Sequence, residues 1–574
     1  MIINNFYGPF PKLPPTNVHN MIFRRPGAPE IPDHVSQIDG KTGEKRTRQE
    51  FLERVYDGAT ALGASVEDGG LGLSGEKGDM VGILSYNSIE YIALIHAMLV
   101  ITTPFAPMSA HSTPLELAHL LSKSGVTHIF VESALLPKAL DTIKKAGLTN
   151  KHIFLLDGPG SHGIHSFDSL VKHARQRKLK RVDVRPVKHD TLAYLMFSSG
   201  TSGLPKAVAV SHSNVNASLV QYLMGVRETM KVYTPPTVPG GIYKTLAVLP
   251  FSHTYALHIL ILRPLLAPST IVVLPKWDIN LAIDTIQKYK INSLPIVPSM
   301  IHSLVHSERF SKADFSSVIG FGSGAAYLPP ALAQRLKSKV TTARLATGYG
   351  LSEGTISAIQ TPVEGLLDGK IKDVPKNTAG ILLAGLQARL VKDDGNDAAV
   401  NEPGELWLKG PHVTLGYWND ENATKSAFLP DGWLRTGDRF RIDERGFFFF
   451  EDRSKDTLKV SGLQVSPAEI EDVLISHPEG LIIDASVAGV SGSRTSDEKS
   501  PRAWVVLSKK GKAVGKKDVK IRLNAWVEEN LSRYKWLRGG IQFVDEIPKS
   551  ATGKVLRRLL VDEYEKKSAA KARL

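Results

Sequence analysis

The 574-residue chain contains no cysteine. Disulfides, thiolate-ligated zinc or iron–sulfur sites and a cysteine nucleophile are thereby excluded, and any thiol chemistry must use a thiol brought by a substrate. Long apolar runs are missing too. The most apolar stretch, Ile92 to Ile101, is about half of the roughly 20 residues that a membrane-spanning helix needs, contains His96 and ends in Thr102-Thr103-Pro104. It is expected as a buried helix, and no transmembrane segment is expected. The N-terminal MIINNFYGPFPKLPPTNVHN lacks the basic region followed by an apolar core that marks a secretory signal. There is no internal repeat, and no low-complexity tract beyond Phe447 to Phe450, which a packed strand explains. Acidic charge is in deficit, with 57 Asp+Glu against 71 Lys+Arg and a formal net charge of +14. The excess favours anionic partners without choosing among nucleotides, acidic cofactors, nucleic acid and membrane surface.

What is present is α/β patterning. Met80 to Asn87 reads as a buried strand, Ser88 to Val100 and Pro114 to Ser124 as helices, and Thr127 to Glu132 as a strand. The alternation resumes with strands at Thr270 to Leu274 and Ser317 to Phe321 around a helix at Asn280 to Tyr289. About the first 380 residues are therefore expected to form stacked, mostly parallel sheets with helices. From Gly380 to Trp418 short strands and polar turns predict a small antiparallel barrel or sheet. The charged EDRSKD, 451–456, then reads as a hinge between a large N-terminal domain, 1–452, and a small α+β C-terminal lid, 453–574. From Arg453 onward 24 Lys+Arg face 16 Asp+Glu, so +8 of the charge lies in the lid.

The segment FSSGTSGLPK, 197–206, follows a plausible strand at Leu192 to Phe197. Its glycines let backbone N–H groups approach an anion, the hydroxyls of Ser198, Ser199, Thr201 and Ser202 can donate to phosphate oxygens, and Lys206 adds a point charge. Pro205 stands where a Walker loop needs its second glycine, which argues against that NTPase class. GYGLSEG, 348–354, places an aromatic ring, a hydroxyl and a carboxylate beside glycines, a set suited to stacking a base and holding Mg2+ between phosphates. WLRTGD, 433–438, with Asp452-Arg453 supplies a carboxylate and a guanidinium suited to ribose hydroxyls, and PKSATGKVLRR, 548–558, presents Lys554 in a glycine-containing turn. GLSEG, 350–354, also satisfies G-x-S-x-G, the hydrolase nucleophile elbow, with Ser352 as nucleophile and His412 or His477 as candidate bases. That reading leaves the anion loop and WLRTGD unexplained.

Together FSSGTSGLPK, LPFSHTYAL, GYGLSEG, GELWLKGPHVTLGYW with WLRTGD, and DRSKDTLKVSGLQVSPAEIE with PKSATGK make the chain resemble the adenylate-forming acyl-CoA synthetases, 4-coumarate CoA ligase-like enzymes above all. The resemblance runs from about residue 50 to about residue 565. It implies a large α/β domain with a mobile lid and an ATP-dependent, Mg2+-assisted ligation of a carboxylic acid to coenzyme A. It further implies that Ser198, Ser199, Gly200, Thr201, Ser202 and Lys206 grip the ATP phosphates, and that Gly348 and Tyr349 meet the adenine. Ser352 and Glu353 would bind phosphate and Mg2+, Asp438 and Arg453 would hold the ribose, and Lys455 would belong to the hinge. Lys554 matches the lysine that steadies the carboxylate and α-phosphate, Lys459 and Gln464 match residues around the adenylate, and Ser461 with Gly462 matches the segment that meets CoA. His253 matches an aromatic gate at the acyl pocket, whose walls would include Tyr255, Ser323, Gly324 and Ala325.

Four positions depart from the usual pattern. Ala207 replaces a glycine, Thr347 a glutamine, Tyr327 a proline, and Ser461 a lysine that would touch CoA. The acyl-pocket residues suit a hydroxycinnamate or other aryl acid, with a medium-chain fatty acid as the alternative; a luciferase-like adenylating oxygenase shares the same motifs. Nucleic acid is not expected as a partner, because the lysines of the lid lack interleaved aromatics. His258 and Trp277 read as structural, and Lys549 and Arg557 as solvated face charges. Ala572-Arg573-Leu574 has the small-basic-leucine form of a peroxisomal address. A peroxisomal import receptor is therefore an expected partner and the peroxisome the expected location, with the cytoplasm as the alternative.

Overall fold

The computed structural model describes the chain except for residues 161–162, 199–204, 306, 326–327, 329, 377, 393, 454–457, 461–462, 466, 492–498, 549–556 and 573–574. Its larger part is α/β. A six-stranded sheet runs in the order Ile153–Leu155, His128–Val131, Val81–Leu84, Phe105–Met108, Leu192–Ser198, Lys206–Ser211, parallel except for the last pair. A nine-stranded sheet carries the parallel series Arg344–Gly350, Gly320–Ser323, Ser293–Ile296, Tyr243–Ala247, Ser269–Val273 and Val35–Asp39, with antiparallel strands at both ends.

Local chemistry sets the helices between these sheets. Thr113 and Glu116 close a capping box on Pro114–Ser124, proline occupies its first turn, and Gly125 ends it in the left-handed region. Ser88 caps Ile89–Val100, in which every residue except Glu90 is buried. Such a helix is apolar all round because it packs inside the largest core cluster, together with Arg48–Gly63 and strands of both sheets. The expected elements match within a residue or two, apart from the strand read at Met80 to Asn87, which spans only Val81–Leu84, and the strand read at Ser317 to Phe321, which begins at Gly320 and runs to Ser323. Ser317 instead serves a turn, its hydroxyl donating to the Ile291 carbonyl at 2.9 Å.

A five-stranded antiparallel sheet follows, ordered Ile3–Asn4, Gln387–Val391, Gly404–Lys409, Leu434–Ile442, Phe448–Arg453. Phe447 and Phe448 are buried against its core, as a packed strand requires. The smaller C-terminal domain is built on Ile482–Ser491, Lys499–Leu507 and Gly540–Phe543. Its strands are buried on both faces by period-two alternation. Ala485, Val487, Ala503 and Val505 face the hairpin Leu458–Val460/Leu463–Val465 and the helices Pro467–Ile475 and Lys516–Asn530, whereas Ala488, Val490, Trp504 and Val506 face Ile547 and Leu560. The C-terminal helix Arg557–Ala572 is tied down by Arg557, which forms a bidentate pair with Glu471 at 2.8 and 2.9 Å and donates to the Val487 carbonyl at 3.1 Å. Arg557 is thus an anchor rather than a solvated face charge. Lys549 lies outside the described residues.

Among the described residues of the large domain, five imidazoles, His19, His96, His212, His258 and His412, are no more than 1% exposed. Burial pushes the pKa values of His96, His212 and His412 down, to about 4, about 3 and about 3 respectively. The unfolded chain takes up protons first as the pH falls from 6.5, so the stability these neutral rings contribute is present above that value and drains away toward pH 3 to 4. Each ring should cost about 1 to 2 kcal/mol by pH 5. Urea midpoints measured from pH 7.5 to 4.5 should fall steadily below pH 6.5, and His212→Gln, which keeps an acceptor for the Val18 N–H that His212 Nδ1 meets at 3.1 Å, should flatten the fall. An acid profile identical in the variant would refute this origin.

Candidate active site

A cavity of about 840 Å3 opens where the carboxyl ends of both parallel series and the smaller domain meet. Ser109, Ser198, His253 and Gly324 line it from the strand ends or the loops that follow, the location open parallel sheets favour for ligands. The smaller domain contributes Leu463, Tyr534 and Lys535.

At one wall stands Glu353. Its Oε1 accepts from the Ser198 hydroxyl at 2.9 Å and the Tyr417 phenol at 2.8 Å, and its carbonyl accepts from the Thr414 N–H at 3.0 Å. Burial, then the Glu353 charge, pushes the Tyr417 phenol far up, so it remains a donor. Lys206, opposite Ser198 in the antiparallel pair, holds its ammonium 4.8 Å from the centre of the Tyr417 ring. One carboxylate, one ammonium and one hydroxyl are therefore grouped at the mouth of the anion loop. Ser199, Gly200, Thr201 and Ser202 lie outside the described residues.

The turn that carries Glu353 is strained. Thr355 has φ 66° and ψ −36°, the Ile356 N–H donates to the Gly354 carbonyl two residues back, and the Thr355 hydroxyl donates to the His412 carbonyl at 2.6 Å. A non-glycine residue there costs on the order of 1 to 3 kcal/mol. Gly350 is obligatory just upstream, because a Cβ at that position would lie 1.6 Å from the Ile356 carbonyl oxygen. Ala325, in the cavity wall, also takes a positive φ of 65°.

A nucleoside-sized corner adjoins. Tyr349 donates its hydroxyl to Asp438 Oδ2 at 2.8 Å and rests edge-on against Phe440, ring centres 4.8 Å apart. Asp438 and Arg453 face each other in the strand register, so the carboxylate and guanidinium positions read from sequence are cross-strand partners. Gly348 lines the same wall, and Thr347 is engaged with the Thr361 hydroxyl at 2.6 Å.

The acyl side begins at His253. Its Nδ1 accepts from the Tyr255 N–H at 3.3 Å, and burial pushes its pKa down to about 4, so the ring is neutral above about pH 5 and acts as a wall rather than a proton carrier. Tyr255 hangs over a floor of glycines: a Cβ at Gly322 would come within 3.4 Å of its phenol oxygen, and one at Gly324 within 3.9 Å of Cζ. The Ser323 hydroxyl is buried without a hydrogen-bond partner among the described residues.

The hairpin of the smaller domain reaches the cavity through Leu463, and Lys459 and Gln464 are paired across it. This pose is latched by buried charge. Lys535 Nζ donates to Glu116 at 2.6 Å and to Glu469 at 2.8 Å, Ser532 donates its backbone N–H to Glu116 at 3.2 Å and its hydroxyl to the same carboxylate, and the Thr113 hydroxyl meets the Asn530 carbonyl. Desolvation opposes the Lys535 charge, but the pull of Tyr534, Glu469 and Glu116 outweighs it and holds the ammonium well above its ordinary pKa. Lys455, Ser461, Gly462 and Lys554 lie outside the described residues. The residues flanking Lys554, Ile547 and Leu560, pack on the face of the small sheet turned away from the hairpin.

The elbow reading of GLSEG is not supported. Ser352 Oγ meets the Thr254 hydroxyl at 3.1 Å; His412 is packed edge-on against Phe10, and His477 against Trp526. His258 is structural, bracketed by the Tyr194 hydroxyl at 2.7 Å and the Ser218 hydroxyl at 3.0 Å, and Trp277 donates to Ser303. Sequence reasoning missed Thr254, Tyr417, Arg263 and the Glu116–Lys535 latch. Tyr417 sits inside GELWLKGPHVTLGYW and Thr254 inside LPFSHTYAL, so their motifs were visible but not their partners. Lys535 was hidden among the other lysines of a basic domain.

Comparison with known proteins agrees with this geometry. Residues 26–418 match the family model of AMP-binding enzymes, and 469–554 that of the AMP-binding enzyme C-terminal domain. The chain is 32% identical over 552 residues to the probable 4-coumarate–CoA ligase 1 of Dictyostelium discoideum, covering 92% of each chain. It is 31% identical to acyl-CoA ligase AKT1 of Alternaria alternata, covering 92% of this chain and 90% of that one. It is 33% identical to luciferin 4-monooxygenase of Nipponoluciola cruciata, covering 94% and 92%. The structure of the amide bond synthetase McbA from Marinactinospora thermotolerans superposes with a TM-score of 0.77 at 21% identity over 96% of this chain and 100% of that one, a likeness of fold.

The latch gives a direct test. Lys535→Met leaves Glu116 and Glu469 buried without their shared cation, a loss of about 3 to 5 kcal/mol when uncompensated. The Glu116 half of this pairing joins the two domains and the Glu469 half lies within the smaller one, so if this arrangement is the thioester-forming one, thioester formation from supplied acyl-adenylate should fall at least tenfold in single turnover, while ATP–pyrophosphate exchange changes less than threefold. Equal losses in the two assays would separate the latch from the pose.

Proposed function

The chain belongs to the AMP-binding enzyme family of adenylate-forming ligases, and from that premise we propose that it is an acid–CoA ligase whose carboxylic acid is a hydroxycinnamate or a related aryl acid. The observation that carries the ligase reading is the convergence of Ser198 and Glu353 at one cavity wall, with Tyr349 and Asp438 beside them and Lys206 behind, opposite Ser198 and over the Tyr417 ring. In the first half-reaction a carboxylate oxygen of the acid bonds to the α-phosphorus of ATP as the bond to the pyrophosphate oxygen breaks. Lys206 offsets charge on the phosphates, and Ser198 with residues 199–202 donates to their oxygens. In the second, the CoA thiol loses its proton to solvent, sulfur bonds to the acyl carbon as the bond from that carbon to the phosphate oxygen breaks, and AMP leaves as the phosphate anion.

Glu353 fits one ligand position of a Mg2+ otherwise held by water and phosphate oxygens, and the ion would supply charge neutralisation there. The chain's own residues do the positioning. Tyr349, backed by the buried Phe440, offers aromatic surface to the adenine, and Asp438, in register with Arg453, takes the ribose hydroxyls. Lys554 would steady the reacting carboxylate. Its described neighbours pack on the face of the lid opposite the hairpin, which supports a lid that turns between the half-reactions about the segment holding Lys455. The boundary at 452/453 belongs to this proposal. So do Lys459, Gln464, Ser461 and Gly462 as residues of the second pose.

For the acid, a flat ring fits alongside Tyr255, with the Gly322–Gly324 stretch, the Ser323 hydroxyl and Ala325 in the same wall. A medium-chain acid is the second reading, favoured by the length of the apolar helix that begins at Thr254. The identity to a luciferin monooxygenase keeps an oxygenase reading, which light emission or oxygen uptake would reveal. A carboxylate panel followed by pyrophosphate release with and without CoA tests the ligase. Lys554→Ala should slow acyl-adenylate formation by about 10² or more while largely sparing thioester formation from supplied acyl-adenylate. No pyrophosphate from any acid would end the reading. Residues 572–574 are proposed as a peroxisomal address; deleting them should leave catalysis unchanged and move the protein from peroxisomes to the cytosol.

A further inference from the structure

The helical stretch after His253 runs from Thr254 through a π-turn at Leu257–Leu262 to Arg263–Leu266. The Arg263 N–H donates to the His258 carbonyl five residues back, the wide spacing that marks such a turn and that recurs at functional sites. Leu257, Leu260, Ile261, Leu262, Leu265 and Leu266 are buried in the core. Tyr255, Ile259 and Arg263, four apart, form the stripe that lines the cavity. The near end of this helix is fixed to the phosphate side, because Thr254 meets Ser352 beside Glu353. Arg263 therefore lies at the far end of the acyl side, roughly 10 Å further along the helix axis.

A guanidinium in that position is anomalous. No carboxylate pairs with it among the described residues, its Nε is buried without a hydrogen-bond partner, and its nearest organised neighbour is the Tyr222 ring, 5.0 Å below the guanidinium carbon. The ionisable groups that bear on it are Tyr222 and Tyr255, and it in turn bears on His258 and His412, so the surroundings offer no negative charge of their own. Burial pulls its pKa down to about 10, still cationic at neutral pH. Arg263 is part-buried at the cavity wall, and a cation so withdrawn from water without an anion is costly unless a ligand supplies one.

We propose that Arg263 is a specificity-determining residue that receives a second carboxylate at the distal end of the acyl substrate, so that the preferred acid is a dicarboxylic acid activated at one end. This rests on the acid–CoA ligase reading alone and departs from its hydroxycinnamate preference, since a hydroxycinnamate carries a phenol and no second carboxylate at its far end. The reacting carboxyl sits at the Ser352–Glu353 end, the chain or ring lies along Tyr255 and Ile259 over the glycine floor, and the remote carboxylate meets the guanidinium. An Arg–carboxylate pair fits this better than a neutral tail, which would leave the five N–H donors of Arg263 facing hydrocarbon.

The test is equilibrium binding of decanedioic acid and decanoic acid at pH 7.5 by titration calorimetry, to the full-length protein and to Arg263→Met and Arg263→Lys, with thermal melts confirming that the variants fold. Wild type should bind the diacid about tenfold to a hundredfold more tightly. The preference should vanish in Arg263→Met and persist in part in Arg263→Lys. Equal binding of the two acids by wild type, no detectable binding of either, or a preference that survives Arg263→Met each overturns the proposal. Pyrophosphate release measured on the same acids judges the ligase reading separately. Arg263-dependent binding without pyrophosphate would keep the subsite and remove the ligase, whereas turnover of decanoate alone would do the reverse.

Discussion

The carboxylate of Glu353 is the junction on which the site depends. Through Ser198 it fixes the exit of the strand leading into the anion loop, through Tyr417 it fixes a segment beyond the last parallel strands, and through its carbonyl it holds Thr414. Those partners come from regions of the chain more than 200 residues apart, so a single acid holds in place what the two sheets only bring near. The strained turn at Thr355 is a cost of that placement: the backbone bends back on itself within three residues so that Ser352 faces Thr254 while Glu353 faces Ser198. Packing around Thr355, which is completely buried, resists relaxation of the bend.

The arrangement follows from sheet architecture. Parallel strands deliver their following loops to one edge, and two such series opening on a common cavity allow a phosphate-binding corner and an acyl corner to share a border. That border is drawn by residues adjacent in sequence. His253 and Thr254 separate the two corners, one facing the acyl side as a neutral ring and the other hydroxyl-bonded to Ser352. The smaller domain then closes the space with a buried cation shared by two carboxylates, one on its own helix Pro467–Ile475 and one at the capped start of Pro114–Ser124.

Much of this was legible before any coordinates. Helix 114–124 was legible from the alternation of strand and helix patterns, and helix 89–100 from an apolar run too short for a membrane. Asp438 and Arg453 were read from motifs fifteen residues apart and prove to be strand partners, because both motifs lie on neighbouring antiparallel strands. What escaped were contacts between side chains distant in sequence. Arg557 looked like any lysine-rich surface cation, and only the fold sets it against Glu471. Arg263 drew no reading from the sequence, and only the helix direction puts it at the end of a cavity. Ser317 was placed in a strand by composition, but its hydroxyl is taken by the Ile291 carbonyl in a turn.

The small sheet of the C-terminal domain has no solvent-facing side: successive residues of 484–491 and 500–507 alternate between the hairpin side and the C-terminal helix side. Each strand is therefore written in two interleaved scripts, one serving each surface. A shift in register by one residue would exchange them wholesale, setting Trp504 against the hairpin and leaving alanine and valine beneath the terminal helix. The two surfaces cannot drift independently in sequence, so any change in how this domain meets one partner is felt through the same strands by the other.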